Sequence, residues 1–224
     1  MSLVAPSHLL FTPSSPSCPP ITGVESIRRL HNDRSTLIID TISIRKRALN
    51  HRSRSFLGVY FGENYPLNTA YDIRAPYYRS KEESILALSA ILAALKQLLI
   101  GLSNRSFADK YVGKVIIRTN CKWAVHVLSS RASQREAALE AGRSAPTWDD
   151  NWPQNALAKR IEDSIELVMA RRVRIQFWIM GIGALPEARM LAEMAAAKRS
   201  KLNLLEFKIW VGGVGDKCRC ALRL

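Results

Sequence analysis

The chain has 224 residues, enough for one well-cored domain with tails and too few for two full-sized ones. Its 47% hydrophobic and 23% charged content falls in the ordinary globular range. Lys and Arg number 33 against 19 acidic residues, a net charge of +14. That excess favours polyanionic partners, because each phosphate contact releases condensed counterions, although a plain basic surface would show the same balance.

Residues 1–33 read as a disordered segment: Ser and Pro are dense (Pro13-Ser14-Ser15-Pro16, Pro19-Pro20) and hydrophobic periodicity is absent. No charged n-region leads into a compact apolar core, so no signal peptide is expected. Cys18, Cys121, Cys218 and Cys220 are therefore expected as reduced thiols in an intracellular protein, in nucleus or cytoplasm. Cys218-Arg-Cys220 lacks the second half of a zinc site, and no metal is assigned there.

A domain is expected over residues 34–200. Thr36-Leu-Ile-Ile-Asp40 is a near-continuous apolar strand ending in an acid, followed by a basic connector (Arg45-Lys46-Arg47, then His51-Arg52-Ser53-Arg54). Ser55–Phe61 reads as a second strand, Asn64–Asn68 as a turn, and Thr69–Ile73 as a short third strand. A helix opens at Ser80, where Ser80 and Glu83 have capping-box spacing, and Ile85, Leu88, Leu92, Leu95 and Leu99 mark one face. Its run Ser84–Leu95 is very apolar, but Lys96 ends it after about twelve residues, where a membrane span needs roughly twenty. A buried core helix is the reading, and no membrane partner is expected.

Gly113–Thr119 is a strand and Lys122–Ser129 a short helix, beside which His126 is expected to pack. A polar excursion follows from Arg131 to Asn155, with Trp148, Trp152 and a candidate helix over Gln134–Ala141. Ala156–Ala170 is an amphipathic helix, Val173–Ile179 an alternating strand, and Pro186–Arg199 a helix with Pro in its first turn. The order β-β-β-α-β-α-α-β-α implies an α/β domain with a mixed five-stranded sheet flanked by helices. Residues 201–224 form a C-terminal extension whose Leu204–Val211 run is strand-like, either an added edge strand or a partner-binding one. Gly212–Gly215 opens no helix and reads as a flexible turn.

Five stretches, in order, resemble the motifs of ribonuclease H type 1. Phe56-Leu-Gly-Val-Tyr-Phe-Gly62 is similar to that family's second strand, and Asn64-Tyr-Pro-Leu-Asn68 to the turn after it. Val115-Ile-Ile-Arg-Thr-Asn-Cys-Lys122 resembles its strand ending in Thr-Asp-Ser-Lys/Gln. Arg172–Trp178 with Gly181-Ile-Gly-Ala-Leu-Pro186 resembles its last strand and Gly-His-Ser-Gly-Ile-Pro loop, and Glu187-Ala-Arg-Met-Leu-Ala192 its final helix. The resemblance covers roughly residues 37–197.

What the resemblance implies is cleavage of RNA in RNA–DNA hybrids by two divalent ions, Mg2+ or Mn2+, held by four carboxylates. Carried over position by position, only Asp40 keeps a carboxylate. Ile85, Asn120 and Arg189 fall on the other three acidic positions, and Ile182 on the loop histidine. The aligned charge changes from −4 to 0, with −1 from Asp40 and +1 from Arg189. An Asp40–Arg189 ion pair in place of the metals is the expectation, since a guanidinium keeps its proton. Glu82, one turn before Ile85, and Glu193, one turn after Arg189, are candidate displaced ligands. Capping and solvation are the more ordinary roles of Glu82 and Glu83 in a helix first turn.

The leading function is thus a catalytically degenerate domain binding RNA–DNA hybrid or structured RNA, without a cofactor. Arg45, Lys46, Arg47, Arg52, Arg54 and Lys122 are the candidate contacts, joined by basic residues of the Arg131–Arg143 stretch; a solvated hairpin is the plain alternative for Arg45–Arg54. Trp148 and Trp152 either stack on nucleotides or pack under the excursion. Two other classes compete: an interaction module that keeps only the fold, with a protein partner through 204–211, and a weak hybrid nuclease using displaced acids.

Overall fold

The computed structural model describes residues 9–11, 20–22, 27–30, 33–47, 53–73, 82–104, 112–144, 153–197 and 222–223. Its elements in chain order are strands β1 (Pro20–Thr22), β2 (Arg28–Leu30), β3 (Asp33–Arg47), β4 (Ser53–Tyr60) and β5 (Thr69–Ile73), and then helix α1 (Glu82–Ser103). Strand β6 (Lys114–Thr119), helices α2 (Lys122–Glu140) and α3 (Pro153–Met169), strand β7 (Arg174–Ile179), helix α4 (Pro186–Ala197) and strand β8 (Leu222–Arg223) complete it.

Five strands make the centre of the sheet, in the order β5-β4-β3-β6-β7. Strand β4 runs antiparallel to β3 and β5, while β6 and β7 run parallel to β3. This is the mixed α/β sheet, flanked by helices, that the pattern implies.

Side chains alternate along β3, so its two faces meet different layers. Leu37 and Ile39 face the main core, which α1 and α3 cover. Every residue from Leu86 to Leu95 in α1 is buried, as an all-round apolar helix requires. It is the one helix among the described residues long and apolar enough to cross a membrane, and 72% of its apolar window is buried inside the domain. On the opposite face, Ile42 and Phe56 pack beneath Ala188, Ala192 and Ala195 of α4. The small side chains bring this helix so close that a Cβ at Gly58 would overlap the Ala188 carbonyl oxygen and lie 3.2 Å from the Ala192 nitrogen.

Four expectations need correction. First, the segment over residues 1–33 is not simply disordered: β1 pairs with β2, β2 pairs with β3, and Leu10 bridges to Phe177 of β7. Leu9, Ile27 and Leu30 are buried. These isolated aliphatics, which show no period of their own, supply the apolar area that ties the segment down, each worth about 1.5–3 kcal/mol on full burial. Second, the basic connector is largely strand: β3 runs on to Arg47, with Arg45 opposite Ser55, Lys46 opposite Arg54 and Arg47 opposite Ser53. Third, α2 is one continuous helix from Lys122 to Glu140, absorbing the candidate helix placed in the excursion. Fourth, His126 is exposed on α2 and does not pack.

An edge strand is present in the C-terminal extension, but at Leu222–Arg223, antiparallel to β5. Residues 204–215, Ser80, Arg52, Trp148, Trp152, Cys18, Cys218, Cys220 and the remaining histidines lie outside the described residues.

Candidate functional site

Parallel pairing of β3 with β6 sets Asp40 beside Arg118, and β6 with β7 sets Arg118 beside Trp178. On the other side of β3, antiparallel pairing sets Tyr60 beside Asp40. A row Tyr60–Asp40–Arg118–Trp178 therefore crosses four strands on the face that carries Ile38 and Ile42. Asp40 is fully buried and Arg118 nearly so. Arg118 donates from Nε to Asp40 Oδ1 at 2.5 Å and from Nη2 to Oδ2 at 2.6 Å. This planar two-point match is the strongest form of carboxylate recognition, and the low dielectric around it strengthens it further.

A second guanidinium joins from β2. Arg28 Nη1 donates to Asp40 Oδ2 and stands 3.6 Å from Glu187 Oε2 on α4. Arg28 lies 5.6 Å from the centre of the Tyr60 ring, and Arg118 lies 5.6 Å from the centre of the Trp178 ring, so each cation also meets a π face. Phe11 packs tilted on Trp178, with ring centres 5.0 Å apart. Burial pushes the Tyr60 hydroxyl above its ordinary value, and the Glu187 charge adds to it. Two cations and two carboxylates make the cluster neutral. Pairing of opposite charges is the condition on which buried charges are tolerated.

The expected partner of Asp40 was Arg189, and this needs correction. Arg189 points to solvent, half exposed, and its Nε donates to Glu193 Oε1 at 3.0 Å, one turn along α4. The same contact occupies Glu193, one of the two candidate displaced ligands; the Glu82 side chain lies outside the described residues. Asn120 follows directly on β6, and Ile85 packs against the core on the α1 face, away from Asp40. Ile182 sits in a short 3-10 turn between β7 and α4, its side chain outside the described residues.

A two-ion centre of the kind the resemblance implies needs clustered negative oxygens. Here both oxygens of Asp40 accept from guanidinium groups, and Ile85, Asn120 and Arg189 bring no carboxylate. Among the described residues no group of three or more His, Cys, Asp or Glu side chains comes together. The described residues do not fit two divalent ions.

Three side chains at the heart of this cluster went unnoticed in the sequence. Arg118 carried a signal: one charge inside Val115-Ile-Ile-Arg-Thr119, at the offset where parallel pairing meets Asp40. Arg28 fell in the segment read as disordered. Glu187 stood two residues before the position taken as the fourth acid.

The candidate binding residues form two groups. Arg45 and Lys46 are exposed near the end of β3, and Arg54, opposite Lys46 on β4, is 3.9 Å from Asp72. Lys122 is exposed at the first residue of α2. Arg47 is placed in β3 by its backbone only. Along β3, Lys46 lies five residues past Thr41, or about 17 Å at the rise of an extended strand. Lys122 lies three residues past Thr119, the β6 partner of Thr41. Both groups thus lie beyond the same end of the β3–β6 ladder.

No family model matches the chain, and no curated protein matches it. Among solved structures it is similar to a foamy viral protease-reverse transcriptase in complex with dsDNA, at 20% identity over 70% of this chain and 91% of that one, with a TM-score of 0.41. The same viral protein in complex with RNA/DNA hybrid is similar at 16% identity over 84% of this chain and 22% of that one, with a TM-score of 0.39. The PFV RNase H domain in solution is similar at 15% identity over 70% and 89%, with a TM-score of 0.36.

Proposed function

We propose that this is a ribonuclease H-like domain that binds nucleic acid, RNA–DNA hybrid or structured RNA, without cleaving it. The single observation that carries the loss of chemistry is the Asp40 cluster: the one carboxylate left from the aligned four is buried and held by Arg118 and Arg28. An attacking water has no metal to activate it there. On this reading the domain uses no metal cofactor and works inside the cell, in nucleus or cytoplasm.

Binding rests on the charge of +14 and on where cations are exposed. Arg45, Lys46 and Arg54 on the β3–β4 ribbon, with Arg47 and Arg52 beside them in sequence and Lys122 across the sheet end, make the contact set. Six phosphate contacts predict that affinity falls about a thousandfold between 50 and 200 mM salt.

The test uses an end-labelled RNA–DNA hybrid, with binding followed against salt and cleavage assayed in Mg2+ and in Mn2+. Tight, steeply salt-dependent binding with no cutting is the expected result. Metal-dependent cutting that disappears in Asp40→Asn would overturn the loss of chemistry, and absence of binding at 50 mM salt would overturn the nucleic-acid reading.

A further inference from the structure

We infer that the outer seam between α1 and α3 is a docking surface for an acidic, amphipathic helix of another protein. Two stripes with helical spacing line it: Lys96, Ile100 and Ser103 on α1, and Arg160, Leu167 and Arg171 along and just past α3. The stripes meet at both ends. Arg171 donates from Nη1 to the Leu99 carbonyl at 3.1 Å and from Nη2 to Ser103 Oγ at 3.0 Å. At the other end burial, and after it the Arg160 charge, hold the Lys96 ammonium below its ordinary pKa, so these two cations stand close together. Between the ends, Ile100 is 43% exposed and Leu167 58%, although their helices pack on one another. Asp163, one turn before Leu167, is the exposed acid that borders the seam. Three cations and one acid sum to +2.

Charge complementarity selects the occupant. Carboxylates of a partner helix meet the cations while its apolar stripe covers Ile100 and Leu167, and a helix laid in a groove offers both at once. A phosphate backbone would meet the same cations but has no apolar surface to set against the two exposed aliphatics. The two bonds of Arg171 leave further N–H groups of its guanidinium for an incoming carboxylate. At the rise of an α-helix, Lys96 to Ser103 spans about 10 Å and Arg160 to Arg171 about 16 Å, or two to three turns of a partner. The seam lies at the opposite end of the sheet from the nucleic-acid contact set. Arg171 shortly precedes Arg174, which pairs with Lys114 at the start of β6, whereas Lys122 follows the far end of that strand. Both surfaces can be occupied together, and the inference does not rest on nucleic-acid binding.

The experiment uses the full chain and a fluorescein-labelled synthetic peptide of about 20 residues, long enough to hold a helix, with Leu on one stripe and Glu on both flanks. Fluorescence anisotropy is expected to show binding of this peptide and none of its Lys-for-Glu or Ser-for-Leu versions. Ile100→Ser combined with Leu167→Ser, shown folded by circular dichroism, is expected to weaken binding about tenfold or more and to leave RNA–DNA hybrid binding unchanged. Arg160→Glu is expected to lose the acidic peptide and gain the Lys-for-Glu version, a swap that unfolding would not produce. No binding of the acidic peptide by the parent, or equal binding by the serine variant, overturns the inference. Loss of single-stranded RNA or of phosphatidylserine vesicles by the serine variant overturns it too, and assigns the seam to a nucleic acid or a membrane. Should the serine variant not fold, the charge swap decides, and its failure overturns the inference.

Discussion

Replacing Asp40 with Asn removes one negative charge from a cluster in which Arg118 is 3% exposed and Arg28 11%. The amide keeps the shape of the side chain but turns one acceptor into a donor, so at least one of three charge-assisted bonds becomes a donor-to-donor clash. One buried and one largely buried guanidinium are left with Glu187, 3.6 Å from Arg28, as a remaining carboxylate. Breaking a buried pair from one side costs about 3–5 kcal/mol, because the partner charge stays buried without compensation. Against a total stability of about 5–15 kcal/mol this is a large fraction. At about 2–4 °C per kcal/mol for a domain of this size, the melting midpoint falls by about 6–20 °C. Urea unfolding followed by circular dichroism measures the loss directly. Asp40→Leu combined with Arg118→Met, which removes the bidentate pair together, is expected to recover the larger part of it. A stability of Asp40→Asn within about 0.5 kcal/mol of the parent would refute the reasoning, since such small changes belong to surface positions.

Gly58→Ala sets a Cβ against the backbone of α4, which no rotamer change relieves. A loss of about 3 kcal/mol or more is expected by urea unfolding, at the upper end for overpacking. Arg189→Ala removes an exposed i,i+4 pair and is expected to stay within about 0.5 kcal/mol in the same assay. Lys96 is held down to about 8 by burial, with the Arg160 charge adding to it, from an ordinary value of 10.5. The folded chain therefore binds fewer protons there than the unfolded chain between pH 8 and 10.5, and stability attributable to Lys96 rises with pH across that window. Urea midpoints measured from pH 7 to 10 should show this rise in the parent and lose it in Lys96→Met. Substituting Lys46 or Arg54 with Ala is expected to lower the salt slope of hybrid binding by about one each, read from affinity at several salt concentrations.

Much of the architecture was legible because hydrophobic period is a local property. The apolar run of β6, the alternation in β7 and the helical spacing of α1, α3 and α4 each declared their element within a few residues of its bounds, while the apolar run of β3 declared the strand but not its extension to Arg47. Four carboxylate positions followed from the ribonuclease H resemblance, and three of them hold no acid, which needed only the letters at Ile85, Asn120 and Arg189. Pattern failed where the stabilising contacts were distant. Leu9, Ile27 and Leu30 show no period, since each serves the sheet singly, and the long β3–β4 ribbon reads as polar loop because its far end faces water on both sides.

What the sequence determined by itself was the α/β class of fold and the excess of positive charge. Which cation stands beside Asp40 was decided only by tertiary structure. Arg189 was the obvious choice by alignment, but a helix places it one turn from Glu193 and facing solvent. Strand register instead sets Arg118, 78 residues from Asp40, directly beside it, and a short N-terminal strand brings Arg28 from 12 residues away. Register and strand order arise from the packing of the whole sheet, and no window of neighbouring residues contains them.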